Sequence, residues 1–181
     1  MLLIRFGVVS CGLAAAHAAD HPDLALIHFD AAPRRILWSE LLQDLNSRTI
    51  DSTQWQFLAL DDFQTDWLGS LVLVEVRGSC EVPKVIVQWR PQPLGWINIV
   101  DGEWAPFIFV DCVRIAEAVR RAVGSGGGEP DVARAMAIVI RHELMHWTRQ
   151  SRVHDSLGEF RAALPASDLR GVASLGSRSP Q

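Results

Sequence analysis

The spacing of apolar residues along the chain predicts six strands and three helices. Short apolar runs rich in β-branched and aromatic residues predict strands, and apolar residues three or four positions apart predict helices. The turn signal Asp101-Gly102 predicts that the last two strands form a hairpin. The predicted strands are residues 24–29, 55–60, 71–76, 84–90, 96–100 and 103–110, and the predicted helices are residues 33–45, 113–123 and 130–149.

This order of elements predicts an α+β domain in which a mixed, mostly antiparallel sheet packs on two or three helices. We assign residues 1–18 to an export signal, 19–172 to the folded domain and 173–181 to a Ser/Gly-rich disordered tail. The roughly 160 residues that follow the signal are enough for one domain with its own core.

The helix predicted at residues 130–149 is apolar on most sides, so we expect it to lie in the core. Pro130 suits the first helical position, where a missing N–H costs nothing. Glu129 and Asp131 suit the positive end of the helix dipole. The Gly-rich run 124–128 before the helix indicates a flexible loop.

Within this helix, His142, Glu143 and His146 have the spacing of a catalytic zinc site. Residues four apart lie one above the other on a helix, so both imidazoles can reach the same ion. Glu143 lies beside the ion without pointing at it, and it can therefore act as general base toward the attacking water. A catalytic zinc takes three protein ligands and leaves the fourth position open.

We predict that His154 is the third ligand and that a turn through residues 150–153 brings it back to the metal. Asp155 and Glu159 are alternative third ligands, because carboxylates also bind zinc. An interpretation without a metal also exists. In that interpretation the two helical histidines hydrogen-bond to backbone or carboxylate groups, and His154 is a surface residue.

Further motifs accompany the histidines, namely Gly158 and Asp168-Leu169 downstream and Leu94-Gly95-Trp96, Asp101-Gly102, Pro106-Phe107 and Asp111-Cys112 upstream. With the His-Glu-Leu-x-His helix and a third histidine eight residues on, they resemble the metzincin-like zinc metallopeptidases. The resemblance is closest to a set of small secreted bacterial members. It covers roughly residues 70–170 and is strongest around the histidines.

The resemblance implies a metzincin-like fold in which an edge strand, supplied by part of residues 96–110, runs beside the substrate cleft. It also implies Zn2+ as cofactor, held by His142, His146 and His154, with Glu143 as the catalytic residue. A peptide or protein would then be the substrate, and it could add to the edge strand as a further strand.

The chain departs from the wider metzincin pattern in two respects. It has no Gly between His146 and His154, where metzincins usually have one, and this spacing is two residues longer than theirs. The methionine that underlies the zinc in metzincins has no clear counterpart, since Phe160 follows Gly158 and Glu159.

The N-terminus has the pattern of an export signal. Arg5 precedes the apolar run 6–16, and Ala16-His17-Ala18 matches a small-x-small cleavage site. The run is too short to span a membrane, and nothing else in the chain is long and apolar enough. We therefore expect a secreted or periplasmic protein. The alternative is a lipoprotein that is anchored through Cys11.

Charge and cysteine content narrow the function further. With Arg5 removed, 16 basic and 21 acidic residues give a net charge of −5, so no general affinity for nucleic acid is expected.

Cys80 and Cys112 remain after removal of the signal, and in an exported protein an even pair favours a disulfide worth about 3 kcal/mol. The alternatives are two buried free thiols or thiolate metal ligands.

The chain contains seven Trp and no Tyr. Trp96, Trp104 and Trp147 could line a substrate cleft, and Trp147 is the best candidate because it directly follows His146. The alternative for each is ordinary core packing.

We therefore expect an exported zinc-dependent metallopeptidase that hydrolyses peptide bonds with water activated by Zn2+. One alternative is a non-catalytic zinc-binding module of the cell envelope, derived from such a peptidase. A second alternative is a metal-free interaction domain.

Overall fold

The computed structural model describes residues 22–64, 67, 69–84 and 93–154. Over these ranges the chain forms five strands and three α-helices around a shared core. In chain order they are β1 (Asp23–Phe29), α1 (Arg35–Asn46), β2 (Trp55–Ala59), β3 (Leu71–Arg77), β4 (Gly95–Val100), β5 (Glu103–Asp111), α2 (Cys112–Val123) and α3 (Glu129–Arg149).

Each of these elements begins and ends within two residues of its predicted position. The predictions of these five strands and three helices are therefore confirmed. Of the predicted strand at 84–90 only Lys84 is described, and the predicted signal 1–18 and tail 173–181 lie outside the described residues.

The sheet is mixed and has the strand order β2-β1-β3-β5-β4. β1 runs parallel to β2 and β3, β3 runs parallel to β5, and β4 pairs antiparallel with β5. The α+β class with a mixed sheet is confirmed, but the prediction of a mostly antiparallel sheet is wrong. Apolar runs do not encode strand direction. Here α1 carries the chain back along the sheet between β1 and β2, which makes these strands parallel.

The core lies between one face of the sheet and the three helices. Val72, Val74 and Val76 of β3 are fully buried in it, as the two-residue period of a strand requires. β1 is buried over four consecutive residues, 24–27. Ala25 and Ile27 belong to the core, and Leu24 and Leu26 are buried on the opposite face, so β1 is covered on both faces, as is typical of parallel strands.

α3 contacts α1 and α2 as well as β4 and β5. Its first turn is held by the Asp131 carboxylate, which accepts a hydrogen bond from the N–H of Gly128 at 3.0 Å. Thirteen of its 21 residues are buried, so its predicted place in the core is confirmed. Arg141, only 1% exposed, pairs with Asp44 of α1 at 2.7 Å. Among the described residues no helix combines the length and apolar character needed to cross a membrane.

Cys80 and Cys112 form the predicted disulfide, with their sulfurs 2.04 Å apart. The bond joins the segment after β3 to the first residue of α2 across 32 positions of sequence. In the chain-entropy description, closing a loop of this length stabilises the fold by about 3–4 kcal/mol.

β4 and β5 form the predicted hairpin. Both residues of its turn have positive φ angles, 53° at Asp101 and 86° at Gly102. This is the conformation that Asp-Gly turns favour in two-residue hairpin loops. β4 is the last strand in the order, so within the described part of the chain one of its sides is an edge of the sheet.

Candidate metal centre

The three histidines predicted as metal ligands meet near the C-terminal end of α3. Nε2 of His146 lies 3.1 Å from Nε2 of His142 and 3.1 Å from Nε2 of His154. One ring nitrogen from each residue lies within 4.8 Å of those from the other two. The structure therefore brings together the whole predicted ligand set, as a group that could hold a metal ion.

The chain returns to this group through a tight turn after α3. Gln150 takes up the left-handed conformation, with φ 48° and ψ 42°. The N–H of Ser151 then donates to the carbonyl of His146 at 3.2 Å. Glycine usually occupies such a position. Here Gln150 occupies it, and its side-chain amide donates to the carbonyl of Trp147 at 2.5 Å. The predicted turn is confirmed, and it forms without glycine.

An ion pair at the end of α3 supports this turn. The Arg149 guanidinium donates to both carboxylate oxygens of Asp51, at 2.9 and 3.1 Å. These hydrogen bonds are the main reason that the pKa of Asp51 lies below its usual value. Asp51 belongs to the connection between α1 and β2, so the pair ties the end of α3 to a neighbouring loop.

The orientation of His146 is fixed by a hydrogen bond from its other ring nitrogen. Nδ1 lies 2.6 Å from the carbonyl oxygen of Ser151, and it must donate because that oxygen can only accept. This assigns the proton to Nδ1 and leaves the lone pair of Nε2 for a metal. Burial lowers the pKa of His146, with smaller effects in the same direction from His154 and Arg149, while the bond to Ser151 acts the other way. The neutral imidazole that a metal needs is thus the favoured form.

Two of the three nitrogen–nitrogen distances in the group are close to those expected around a tetrahedral ion, and the third is within 4.8 Å. Nitrogens that bind zinc at about 2.05 Å in tetrahedral geometry lie about 3.3 Å apart, close to the 3.1 Å that separates Nε2 of His146 from each neighbour. His154 is exposed and His142 is half-buried, so the group is open on one side. Asp155 and Glu159, the alternative third ligands, lie outside the described residues.

Glu143, the predicted general base, follows His142 directly on α3 and is only 8% exposed. Burial raises the pKa of its carboxyl group to about 7. A carboxyl group in this range exchanges protons readily near neutral pH, which is the property a general acid and base requires.

Gly95, the first residue of β4, lets this strand approach α3 beside Glu143. A Cβ atom at Gly95 would lie 2.6 Å from Cγ1 of Val139 and 3.1 Å from Cγ of Glu143. Only a residue without a side chain fits this position. The motif Leu94-Gly95-Trp96 does not by itself predict this role, because nothing local to residue 95 says which helix lies against it.

Trp104 of β5 stacks beside one of the three histidines. Its indole lies parallel to the His146 imidazole, with ring centroids 6.2 Å apart and an interplanar angle of 9°. Trp104 is half-buried. Trp104 is one of the three tryptophans predicted as candidates for a substrate cleft, although the sequence favoured Trp147.

The other two candidate tryptophans make different contacts. Trp147 packs edge-on against Trp55 at 5.8 Å beside the core. Its place in a substrate cleft stays a prediction. Trp96 stacks with Phe109 at 5.3 Å, and Arg77 lies over the Phe109 ring.

Comparisons of the chain with models of protein families, with curated proteins and with solved structures found no match. The resemblance to metzincin-like peptidases therefore stays a prediction. What the structure adds is a group of three imidazoles that could hold a metal ion, and such groups suit several transition metals.

Proposed function

We propose that the protein is a zinc-dependent metallopeptidase that hydrolyses peptide bonds. The observation that carries this proposal is the convergence of His142, His146 and His154, with the buried residue Glu143 directly after His142 in α3. Three imidazoles and one acid with a raised pKa are the groups that metal-assisted hydrolysis uses.

The donor set supports zinc as the metal. Three histidine ligands with one open position are a recurring arrangement of catalytic zinc, whereas structural sites are closed by a fourth protein ligand. The exposure of His154 agrees with an open arrangement. When bound, zinc would polarise the substrate carbonyl and make water more acidic.

The chain's own residues account for the proton transfers of such a reaction. Glu143 takes a proton from the attacking water, because its pKa of about 7 allows the ionised form near neutral pH. The same carboxyl group then gives the proton to the leaving amine. The carbonyl of Ser151 keeps His146 in one tautomer throughout, so that its Nε2 stays available as a ligand.

A peptide is the substrate that we propose, and β4 is the element that would bind it. This strand lies at the end of the described sheet, and its first residue, Gly95, packs against Glu143. An extended peptide could pair with the side of β4 that has no partner strand among the described residues, and so run past Glu143.

We also propose that the protein is exported, to the periplasm or out of the cell. Disulfides persist in oxidising compartments, and the Cys80–Cys112 bond agrees with such a location. The pattern of the N-terminal residues supports the same proposal.

The test compares the hydrolytic activity of the zinc-loaded full chain with that of its Glu143→Gln variant. Unstructured proteins and peptides serve as substrates. The variant keeps the shape of the side chain but cannot accept a proton, so we expect activity to fall by about 100-fold or more while zinc binding stays the same. The control is Glu40→Gln on α1, which should retain full activity.

Equal activity in the wild-type chain and the Glu143→Gln variant would place catalysis elsewhere. Bound zinc without zinc-dependent hydrolysis would favour the alternative, a non-catalytic zinc-binding module of the cell envelope. Absence of both zinc and hydrolysis would favour a metal-free interaction domain.

A further inference from the structure

We infer that Trp104 determines substrate specificity: with Ile99, its indole forms an apolar wall of the metal site that selects an apolar side chain next to the cleaved bond. The inference rests on the proposed peptidase function and names the class of substrate. We call this surface, made by the side chains of Trp104 and Ile99, the hairpin wall.

Trp104 lies alongside one of the imidazoles proposed to bind the metal. Its indole lies parallel to the His146 ring with centroids 6.2 Å apart, and Nε2 of that ring belongs to the histidine group. Because Trp104 is only half-buried, part of the indole remains open to a bound molecule. A peptide group that reaches the metal site would therefore have the indole as a neighbour.

A bulge in the hairpin of β4 and β5 determines which residue lies opposite Trp104. Ile97 pairs with Ile108, but Ile99 pairs with Trp104, so three residues of β5 lie opposite a single residue of β4. Bulges of this kind are frequent next to active sites, where they redirect side chains. Here the bulge puts Trp104 directly opposite Ile99.

Both residues of the hairpin wall face the helical layer. Residues directly opposite each other in a sheet point to the same face, and the stacking of Trp104 on His146 shows that this face is that of α3. Ile99 is half-buried as well. The hairpin wall is thus hydrocarbon and indole, without a charged group.

An apolar wall favours apolar substrate groups for two reasons. Removing an apolar side chain from water is favourable in proportion to the area buried. A charged side chain at the same place would lose hydration without gaining a partner. We therefore expect Phe or Leu next to the cleaved bond to be preferred over Ala, and Glu to be the poorest.

Trp96 provides a matched control on the same hairpin. It stacks on Phe109, and the Arg77 guanidinium carbon lies 4.2 Å from the centroid of that ring. Phe109 neighbours the core residues Ile108 and Val110 in β5, so it points to the opposite face of the sheet. Trp96 is thus a tryptophan of similar burial that does not belong to the hairpin wall.

The experiment compares the zinc-loaded wild-type chain with Trp104→Ala, Ile99→Ala and Trp96→Ala. The substrates are peptides that differ only in the residue next to the cleaved bond, which is Phe, Leu, Ala or Glu. We expect the wild type to prefer Phe over Ala by about tenfold or more in kcat/KM. Trp104→Ala should lose this preference mainly through KM, with its zinc content unchanged, and Trp96→Ala should keep it.

An unchanged preference in Trp104→Ala would overturn the inference, as would an equal loss in Trp96→Ala. If Trp104→Ala does not fold, Ile99→Ala carries the test, because it removes the other half of the hairpin wall. It should lower the Phe preference in the same direction, and an unchanged preference would again overturn the inference.

Failure of the peptidase function can be separated from failure of the specificity inference. If the wild type cleaves none of the peptides, their binding to the zinc-loaded Glu143→Gln variant is measured instead. We then expect the Phe peptide to bind about tenfold more tightly than the Ala peptide, with the difference removed by Trp104→Ala. Equal binding of the two peptides would overturn the inference.

Discussion

At the scale of single residues, the acidity of Glu143 depends strongly on where the fold places its side chain. Its carboxyl group has a pKa of about 7 in the folded protein against an ordinary value of 4.5, and burial is the cause. Between these two values the folded state holds a proton that the unfolded state has lost. Stability of the metal-free protein therefore falls as pH rises through this range.

We predict that Glu143→Gln removes this pH dependence. The shift corresponds to about 3 kcal/mol, so the stability of the variant relative to wild type should rise by about that amount from pH 4.5 to about pH 8. His146, whose pKa is lowered, acts in the opposite direction but equally in both proteins. Urea unfolding with a chelator present measures the effect, and parallel pH profiles for the two proteins would contradict the prediction.

The predictability of the site differs from residue to residue. His142, Glu143 and His146 could be predicted because helical spacing is a local property of the sequence. His154 could be predicted only with an assumed turn, and that turn uses Gln150 in a conformation more common for glycine. The roles of Gly95 and Trp104 depend on which strands lie against α3, and this information is not local to either residue.

At the scale of elements, the packing of β4 on α3 controls the surroundings of the carboxyl group. The contact depends on Gly95, where a Cβ atom would approach Val139 Cγ1 to 2.6 Å and Glu143 Cγ to 3.1 Å. An added Cβ atom this close to side chains of α3 would force β4 and α3 apart. The first residue of β4 is thus a position where one added methyl group has a large effect.

We predict that Gly95→Ala lowers the free energy of unfolding by about 1–3 kcal/mol, the usual cost of overpacking. Val139→Ala should cost less stability in the Gly95→Ala background than in the wild type, because there it also removes the closest contact of the new methyl group. The control is Gly126→Ala, since a Cβ atom there has no neighbour within 4 Å. Urea unfolding of the wild type, the three single variants and the double variant measures these effects. A Gly95→Ala variant as stable as Gly126→Ala would show that β4 does not press on α3.

At the scale of the whole molecule, the fold could be predicted in its elements but not in its strand directions. The two-residue and 3.6-residue periods report local structure, and the eight described elements follow them. Direction depends on how the connections cross the layers. The passage from β1 through α1 to β2 gives a parallel pair, whereas the Asp101-Gly102 turn gives the one antiparallel pair of the described sheet.

The same architecture unites the parts of the proposed active site. α3 carries two of the histidines and Glu143, the turn after α3 carries His154, and the hairpin of β4 and β5 contributes Gly95 and Trp104. Chain segments about 50 residues apart thus meet at one end of the helical layer.

The most direct test of the proposed zinc site is the zinc content of the full chain purified without an affinity tag. We predict about one zinc per chain at neutral pH, and a strongly reduced content in His154→Ala, which removes one ligand. Glu143→Gln should retain the wild-type content, because it leaves all three ligands in place. Less than a trace of zinc in the wild type, together with no uptake by the metal-free protein when zinc is added, would contradict the account.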